Sequence, residues 1–331
     1  MLWRIGRLLD VERQMAWTQR SGFDGVGLHA SAGTPGHWRG VEPGTCPPEE
    51  RARLRGRLAG FAFLEIHSPF AIDLQTESLA EGVAALAPVL DFAHDLGACV
   101  VTVHAHLTAA EGPVWRQAMQ EVDARARAAG TAVALEITEG FEAVLGWNLP
   151  RVGVNLDVGH MVLPVNGVPL GRYGGFGPLI RLLGPRLVHL HLHDVRGEVD
   201  HIEIGTGEIA FDQIAGGLAD IGYTGTATLE TNPDRVPPAG IRRSLETLRA
   251  HLRACGQVVG AAPCAAGPTA LPLPGCRRQA CGVRRTLGGP QGRPWAGGFS
   301  PGSPGPSSPE SRALPLATHP PSSSILFRKC R

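Results

Sequence analysis

The chain has 331 residues and a formal net charge of +1 at pH 7, but its two parts differ strongly in charge. Residues 1–255 contain 22 Arg, no Lys and 29 acidic residues, whereas residues 256–331 contain eight Arg, Lys329 and one acid, Glu310. An acidic body repels a phosphate backbone at long range, so the composition argues against a nucleic-acid-binding surface on residues 1–255.

The N-terminal residues and the cysteines predict the compartment. Met1 to Asp10 carry Arg4 and Arg7 but lack the apolar segment of a signal peptide, and no run of 18 apolar residues occurs anywhere. The seven cysteines include no CxxC pair, so neither a zinc knuckle nor a disulfide framework is predicted, and we expect free thiols. The sequence therefore predicts a cytoplasmic protein without a membrane segment.

Short apolar runs recur through the first 254 residues. Each run is rich in β-branched residues and stays apolar until a polar residue closes it, which is typical of buried parallel strands. The eight predicted strands, of which the first is the weakest, are Leu2–Gly6, Asp24–Ala30, Phe61–Ser68, Ala98–His106, Ala132–Thr138, Val152–His160, Leu187–Asp194 and Gly225–Asn232.

Segments with helical spacing separate these runs. The clearest is Glu77–Leu96, in which Leu79, Val83 and Leu86 recur at spacings of three and four before Gly97 ends the helix. The other predicted helices are Leu8–Gln19, Pro48–Leu58, Val114–Ala129, Glu139–Trp147, Leu170–Leu183, Phe211–Ile221 and Ala239–Leu252. Strict alternation predicts an α/β fold of the (β/α)8 TIM barrel type, and the lack of a GxGxxG motif after the first strand disfavours a dinucleotide-binding sheet.

The composition changes near residue 255. Residues 256–331 contain 13 Pro and 12 Gly with no helical or alternating apolar pattern, so they cannot bury enough apolar surface to offset chain entropy. We therefore predict a barrel over residues 1–254 and a disordered Pro/Gly/Ser/Arg-rich tail over residues 255–331. The tail is either a basic interaction arm or a dispensable extension.

Four successive predicted strands end in residues that ligate metals. Glu136, Asp157, His191 and Glu230 lie at the ends of the fifth to eighth strands. The active site of a TIM barrel lies at the carboxyl ends of its strands, and neighbouring strands are only about 4.8 Å apart. The four side chains are therefore predicted to meet around one divalent cation. Arg196, just beyond the His191 strand, is either a substrate-binding cation or a loop charge.

The strings LEITEGFE, NLDVGH, HLHLHD, DHIEIGTGEIAF and TLETN follow one another in this order. With them, residues 2–252 resemble the xylose-isomerase-like barrel superfamily of sugar isomerases and epimerases, which also contains zinc-dependent apurinic endonucleases. The resemblance implies that the four strand-end residues are the shared metal ligands. It also implies that His160 contacts substrate and that Glu142 supports the site.

Three further histidines match positions that the endonuclease branch uses for zinc. They are His67, His104 and His201, but the acid that this branch has two residues before the last histidine is replaced by Val199. The hypothesis therefore assigns His67 and His104 to the wall of a substrate pocket and keeps His201 as a candidate ligand of an extra metal.

The sequence thus favours a metal-dependent isomerase or epimerase acting through an enediolate. Its substrate is a small sugar, sugar phosphate or related hydroxy-carbonyl compound, its cofactor is Mn²⁺, Mg²⁺, Co²⁺ or Zn²⁺, and Glu136 and Glu230 transfer the proton. The alternatives are a zinc-dependent apurinic-endonuclease-like phosphodiesterase acting on DNA and a non-catalytic sugar-binding barrel. The sequence leaves open whether the chain forms a homo-oligomer.

Overall fold

The computed structural model describes residues 1–6, 9–107, 112–256 and 323–326. All of them belong to one compact unit. Seven parallel strands follow one another around a nearly closed barrel in chain order. They are β1 (Gly25–His29), β2 (Phe63–His67), β3 (Val100–Ala105), β4 (Ala132–Glu136), β5 (Val152–Asp157), β6 (Leu187–Leu192) and β7 (Thr226–Leu229).

Eight α-helices alternate with these strands in the described residues. They are α1 (Val11–Arg20), α2 (Pro48–Leu58), α3 (Leu79–Leu96), α4 (Pro113–Ala129), α5 (Phe141–Trp147), α6 (Phe176–Leu183), α7 (Phe211–Asp220) and α8 (Pro238–Ala254). Helices α3 and α4 end where Gly97 and Gly130 adopt left-handed φ angles of 74° and 72°, a conformation that glycine adopts without steric cost.

The strands are buried on both faces. Every residue of β4 and β5 is buried, because one face of the sheet lines the barrel interior and the other packs against the helices. This accounts for the continuous apolar runs in the sequence and confirms the predicted TIM barrel. Parallel pairing also places the carboxyl ends of neighbouring strands at one rim, as the pairing of His104 with Glu136 shows.

The first predicted strand, Leu2–Gly6, is wrong. Residues Leu2–Ile5 form a 3₁₀ helix. Arg4 explains the difference, because its guanidinium donates to the carbonyl oxygen of Thr231 at 2.8 Å and to Oε2 of Glu230 at 3.0 Å. These bonds hold the segment against residues that follow β7, whereas another part of the chain pairs along β7 itself.

That other part comes from the predicted tail. Ser323–Leu326 forms strand β8, which pairs antiparallel with β7 from Leu326 opposite Thr226 to Ser323 opposite Leu229. Strand β8 also lies against β1, at the seam of the barrel. These four residues differ from the expectation of disorder, and tail residues 257–322 and 327–331 lie outside the described residues. The predicted domain boundary at residue 254, where α8 ends, stays a prediction.

The state of the cysteines and the length of the helices can be compared with the prediction of free thiols and no membrane segment. Cys46 and Cys255 are free, as expected, whereas Cys99 is disulfide-bonded. Within the described ranges, no helix has both the length and the apolar character needed to span a bilayer.

Candidate metal centre

Four side chains from different strands meet at one nitrogen, Nδ1 of His191. This atom, on β6, lies 3.0 Å from Oε2 of Glu136 at the end of β4. It lies 4.0 Å from Oδ2 of Asp157 at the end of β5, and 3.5 Å from Oε1 of Glu230, which directly follows β7. The structure therefore brings together all four predicted metal ligands, and we call them the centre.

The donors of the centre fit a divalent cation. Glu136, Asp157 and Glu230 are only 8%, 2% and 4% exposed, and buried carboxylates that lie this close together need a counter-charge. One oxygen, Oε1 of Glu230, is buried and accepts no hydrogen bond from any residue that the structure describes. A cation bound by the centre satisfies both the charges and this oxygen.

The electrostatics of the centre keep its carboxylates ionised. Burial alone would raise the pKa of Glu136, but the charges that His104 and His191 carry when protonated, together with hydrogen bonds from His160 and His191, hold this pKa well below its usual range. Burial alone would lower the pKa of His191, but the charges of Glu230 and Glu136 raise it well above its usual range. In the metal-free protein, His191 is therefore an imidazolium among carboxylates.

Three predicted histidines surround the carboxylate of Glu136. Its Oε1 lies 3.1 Å from Nδ1 of His160 and 3.6 Å from Nε2 of His104, and its Oε2 lies 3.9 Å from Nε2 of His67. Burial lowers the pKa of His104 to about 4, whereas the charge of Asp157 and a hydrogen bond to Glu136 overcome burial and raise the pKa of His160 to about 9. Near neutral pH the wall of the site therefore combines a neutral and a charged imidazole.

The fourth predicted histidine, His201, belongs to a second group of donors. Ligand atoms of Asp157, His160, His193 and His201 all lie within 4.8 Å of one another. The ring of His201 stacks on that of His193 with centroids 3.9 Å apart, and its Nε2 lies 3.4 Å from Oε2 of Glu230. Burial and the charge of His193 lower the pKa of His201 to about 4, so its imidazole is neutral and able to ligate a metal.

A family model described as xylose isomerase-like TIM barrel matches residues 15–251, which is well over half of the chain. The chain belongs to this family. The resemblance predicted from the five sequence strings is thereby confirmed.

One curated relative and two solved structures illustrate the likeness of this xylose isomerase-like barrel. An uncharacterised protein of Methanocaldococcus jannaschii is 26% identical in an alignment 194 residues long. The alignment covers 50% of this chain and 63% of that protein, less than two thirds of its length. The D-psicose 3-epimerase with D-tagatose from Clostridium cellulolyticum H10 is 18% identical, with a TM-score of 0.59 over 76% of this chain and 96% of that one. A xylose isomerase-like TIM barrel protein from Mycobacterium smegmatis in complex with magnesium is 16% identical, with a TM-score of 0.55 over 74% and 89%.

Two predicted site residues of this xylose isomerase-like barrel are exposed and interact with residues outside the centre. Glu142 is exposed in the first turn of α5, where its charge acts on Tyr173. Arg196 is also exposed, and its guanidinium donates to the carbonyl oxygen of Thr206 in the following loop. The predicted roles of Glu142 and Arg196 in substrate binding stay predictions.

The glycine-rich loop after β6 is held by Asp194. Oδ2 of Asp194 accepts hydrogen bonds from the backbone amides of Gly205 and Gly207 at 2.9 and 2.8 Å, and Oδ1 accepts from the amides of Val195 and Ile209 at 2.9 and 3.1 Å. Because these amides already bind a carboxylate, the loop of the xylose isomerase-like barrel serves to fix the chain around the site.

Sequence reasoning missed two residues that touch the centre, Glu65 and Arg4. Oε1 of Glu65 lies 2.9 Å from Nε2 of His191, and Arg4 pairs with Glu230. The signal for Glu65 was an acid in the middle of the apolar run Phe61–Ser68, two positions before His67 and hence on the same face of the strand. The role of Arg4 could not be recognised in the same way, because the residues around it predict a strand.

Aromatic rings line the site next to His67. The ring of His29 stacks on His67 with centroids 5.1 Å apart, and Trp38 and Phe70 contact His29 at 4.8 and 4.6 Å. Trp38 and Phe70 are partly exposed, so they offer apolar surface beside the centre. Trp115, by contrast, is 1% exposed and belongs to the packed core of the barrel.

Proposed function

We propose that the chain is a metal-dependent isomerase or epimerase of a small sugar, sugar phosphate or related hydroxy-carbonyl compound. The observation that carries the proposal is the convergence of Glu136, Asp157 and Glu230 on Nδ1 of His191 within 4.0 Å. The fold shared with a D-psicose 3-epimerase supports it.

The donor set suits several divalent ions. Three carboxylates with one imidazole suit Mn²⁺, Mg²⁺ or Co²⁺, while the neighbouring His67, His104 and His201 favour Zn²⁺. A magnesium complex of a barrel with the same fold supports the binding of a divalent ion. When bound, such an ion supplies Lewis-acid polarisation of a carbonyl, which acidifies the adjacent C–H bond.

The residues of the chain then carry the proton. Glu136 and Glu230 come from different strands. One of them removes the proton from the carbon next to the carbonyl, which gives an enediolate, and either the same carboxylate or the other one returns the proton. Return by the other carboxylate inverts the carbon, whereas one carboxylate that serves both carbons gives isomerisation. His160 lies 3.1 Å from Oε1 of Glu136 and fixes that carboxylate by a charge-assisted hydrogen bond.

A second candidate function is a zinc-dependent apurinic-endonuclease-like phosphodiesterase. One observation favours it, since His67, His104, His160 and His201 all lie against carboxylates of the centre. Two observations favour the isomerase instead. Val199, which replaces an acid, is 43% exposed on the hairpin formed by Asp194–Arg196 and Val199–Ile202. Residues 1–255 also carry an excess of acidic groups that repels DNA.

Metal analysis and a substrate panel test these proposals together. We expect the purified full-length chain to contain a divalent ion and to convert a ketose, hydroxypyruvate or an inosose. The chelated protein should lose this turnover and regain it when the ion is restored. Cleavage of an abasic duplex without sugar turnover, with more than two zinc ions per chain, would reverse the ranking of the two functions.

The affinity for a divalent ion is expected to rise with pH. The pKa of His191 lies well above its usual range and that of His160 is raised to about 9, so both imidazoles hold protons near pH 7. A cation must displace the proton on Nδ1 of His191, so protons compete with the cation for this nitrogen. This competition weakens as the pH rises. Titration calorimetry in buffers with different ionisation enthalpies should detect at least one proton released at pH 7. An affinity that stays constant from pH 6 to 8 contradicts this expectation.

A further inference from the structure

Glu65 is a fully buried carboxylate in the barrel interior that the proposed reaction does not use. It lies on β2 and has 0% exposure. A carboxylate in such a place is costly unless several groups compensate it. Its Oε1 accepts a hydrogen bond from Oγ1 of Thr102 at 2.9 Å, and its Oε2 accepts one from Oγ1 of Thr228. Strands β3 and β7 therefore hold the carboxylate in a fixed position.

The same carboxylate faces one nitrogen of His191. Oε1 of Glu65 lies 2.9 Å from Nε2 of His191, while Nδ1 on the other side of the ring faces the centre. An ionised carboxylate only accepts hydrogen bonds, so Nε2 must carry a proton. The bond made by one ring nitrogen decides which nitrogen is free to ligate, and here it leaves Nδ1 for the cation.

The neighbouring His189 is held in place by hydroxyl groups of β7. Ligand atoms of Glu65, His189 and His191 lie within 4.8 Å of one another. However, Nδ1 of His189 lies 2.6 Å from Oγ1 of Thr226, and its Nε2 lies 2.9 Å from Oγ1 of Thr228. Hydroxyl groups therefore lie within hydrogen-bond distance of both nitrogens of His189, and its Nε2 also lies 3.3 Å from Oε2 of Glu65.

We propose that Glu65 is a positioning residue for the metal centre. By holding the proton on Nε2 of His191, it fixes the tautomer and the ring orientation that present Nδ1 to the cation. This inference rests on the proposed metal-dependent function. Its test uses metal binding, so that a failure of this inference and a failure of the proposed reaction give different results.

The test compares cobalt binding by the full-length wild type and by Glu65→Gln. Glutamine has nearly the same shape as glutamate but no charge. Its amide has one acceptor oxygen, whereas the carboxylate of Glu65 accepts hydrogen bonds through both oxygens. We expect the cobalt affinity to fall about 10- to 100-fold, which is the usual effect of losing a partner of a metal ligand, and the visible cobalt spectrum to change. Asp123→Asn is the matched control. Asp123 is 6% exposed on α4 and accepts a hydrogen bond from the Arg151 amide, so the control alters a buried carboxylate elsewhere.

A second measurement covers the case in which Glu65→Gln does not fold. Nitrogen-15 spectra of the zinc-loaded wild type, labelled at histidine, should show His191 with a proton on Nε2 and the metal on Nδ1. Metal on Nε2 would overturn the inference, as would a folded Glu65→Gln that keeps wild-type affinity and spectrum. If the wild type binds cobalt but converts no substrate, the proposed reaction fails while the role of Glu65 is still decided by affinity. If the wild type binds no divalent ion, both fail.

Discussion

Glu230→Gln is expected to reduce kcat of the proposed isomerase or epimerase reaction about 100- to 10,000-fold, the range that a general acid or base contributes. Glutamine cannot accept the substrate proton, because its amide is far less basic than a carboxylate. Its one carbonyl oxygen can still face the centre in place of Oε1, while its amide nitrogen then replaces Oε2, the atom that accepts a hydrogen bond from Arg4 at 3.0 Å in the wild type. Because a neutral oxygen ligand remains, metal affinity should fall by a smaller factor than kcat.

Steady-state kinetics with saturating metal, combined with calorimetric metal titration, measure the two effects separately. Glu139→Gln is a suitable control, because Glu139 follows β4 but pairs on the surface with Arg172 at 2.6 Å. We expect this control to behave as the wild type. Turnover by Glu230→Gln close to the wild-type rate would remove Glu230 from proton transfer and leave it as a ligand alone.

The double variant Ser324→Pro/Ile325→Pro is expected to destabilise the barrel. Strand β8 covers the edge of β7, where unpaired backbone groups would otherwise be exposed. Adjacent residues of an antiparallel strand point their amides in opposite directions, so one of the two prolines removes a donor that faces β7. The lost pairing lowers the free energy of unfolding by about 2–4 kcal/mol. For a barrel of this size the unfolding midpoint should then fall by about 5–15 °C.

Thermal unfolding followed by circular dichroism measures this effect. The control is Ser307→Pro/Ser308→Pro, which adds the same two prolines to a stretch that already has Pro306 and Pro309 on either side. An equal midpoint for the two variants would mean that β8 contributes nothing to stability. In that event a barrel of residues 1–254 would be stable without the tail, as the sequence predicts.

The centre was predictable because the parallel barrel makes strand ends equivalent. Glu136, Asp157, His191 and Glu230 each follow an unmistakable apolar run, and parallel pairing alone brings such ends to one rim. His67 and His104 were assigned through the family resemblance instead, and they lie on the earlier strands β2 and β3. Each of the four strand-end positions needs only the strand boundary to be right within a residue or two.

Other features depend on long-range contacts that no local pattern records. Leu2–Gly6 has the composition of a strand, yet the buried pair of Arg4 with Glu230 decides its course. Glu142 and Arg196 lie on a helix turn and on a hairpin, where the direction of a side chain varies with loop geometry. The four-residue β8 is too short for its pattern to be recognised in a Pro-rich sequence.

The bond between Arg4 and Glu230 joins residues that are 226 positions apart. During synthesis the arginine emerges early and has no acceptor until nearly the whole barrel has followed it. Contacts of such large sequence separation form late, because the chain must lose much entropy before they contribute. The proposed proton-transfer carboxylate is therefore among the last side chains to find its place, and a partly folded chain, even with most strands paired, holds an incomplete set of metal donors.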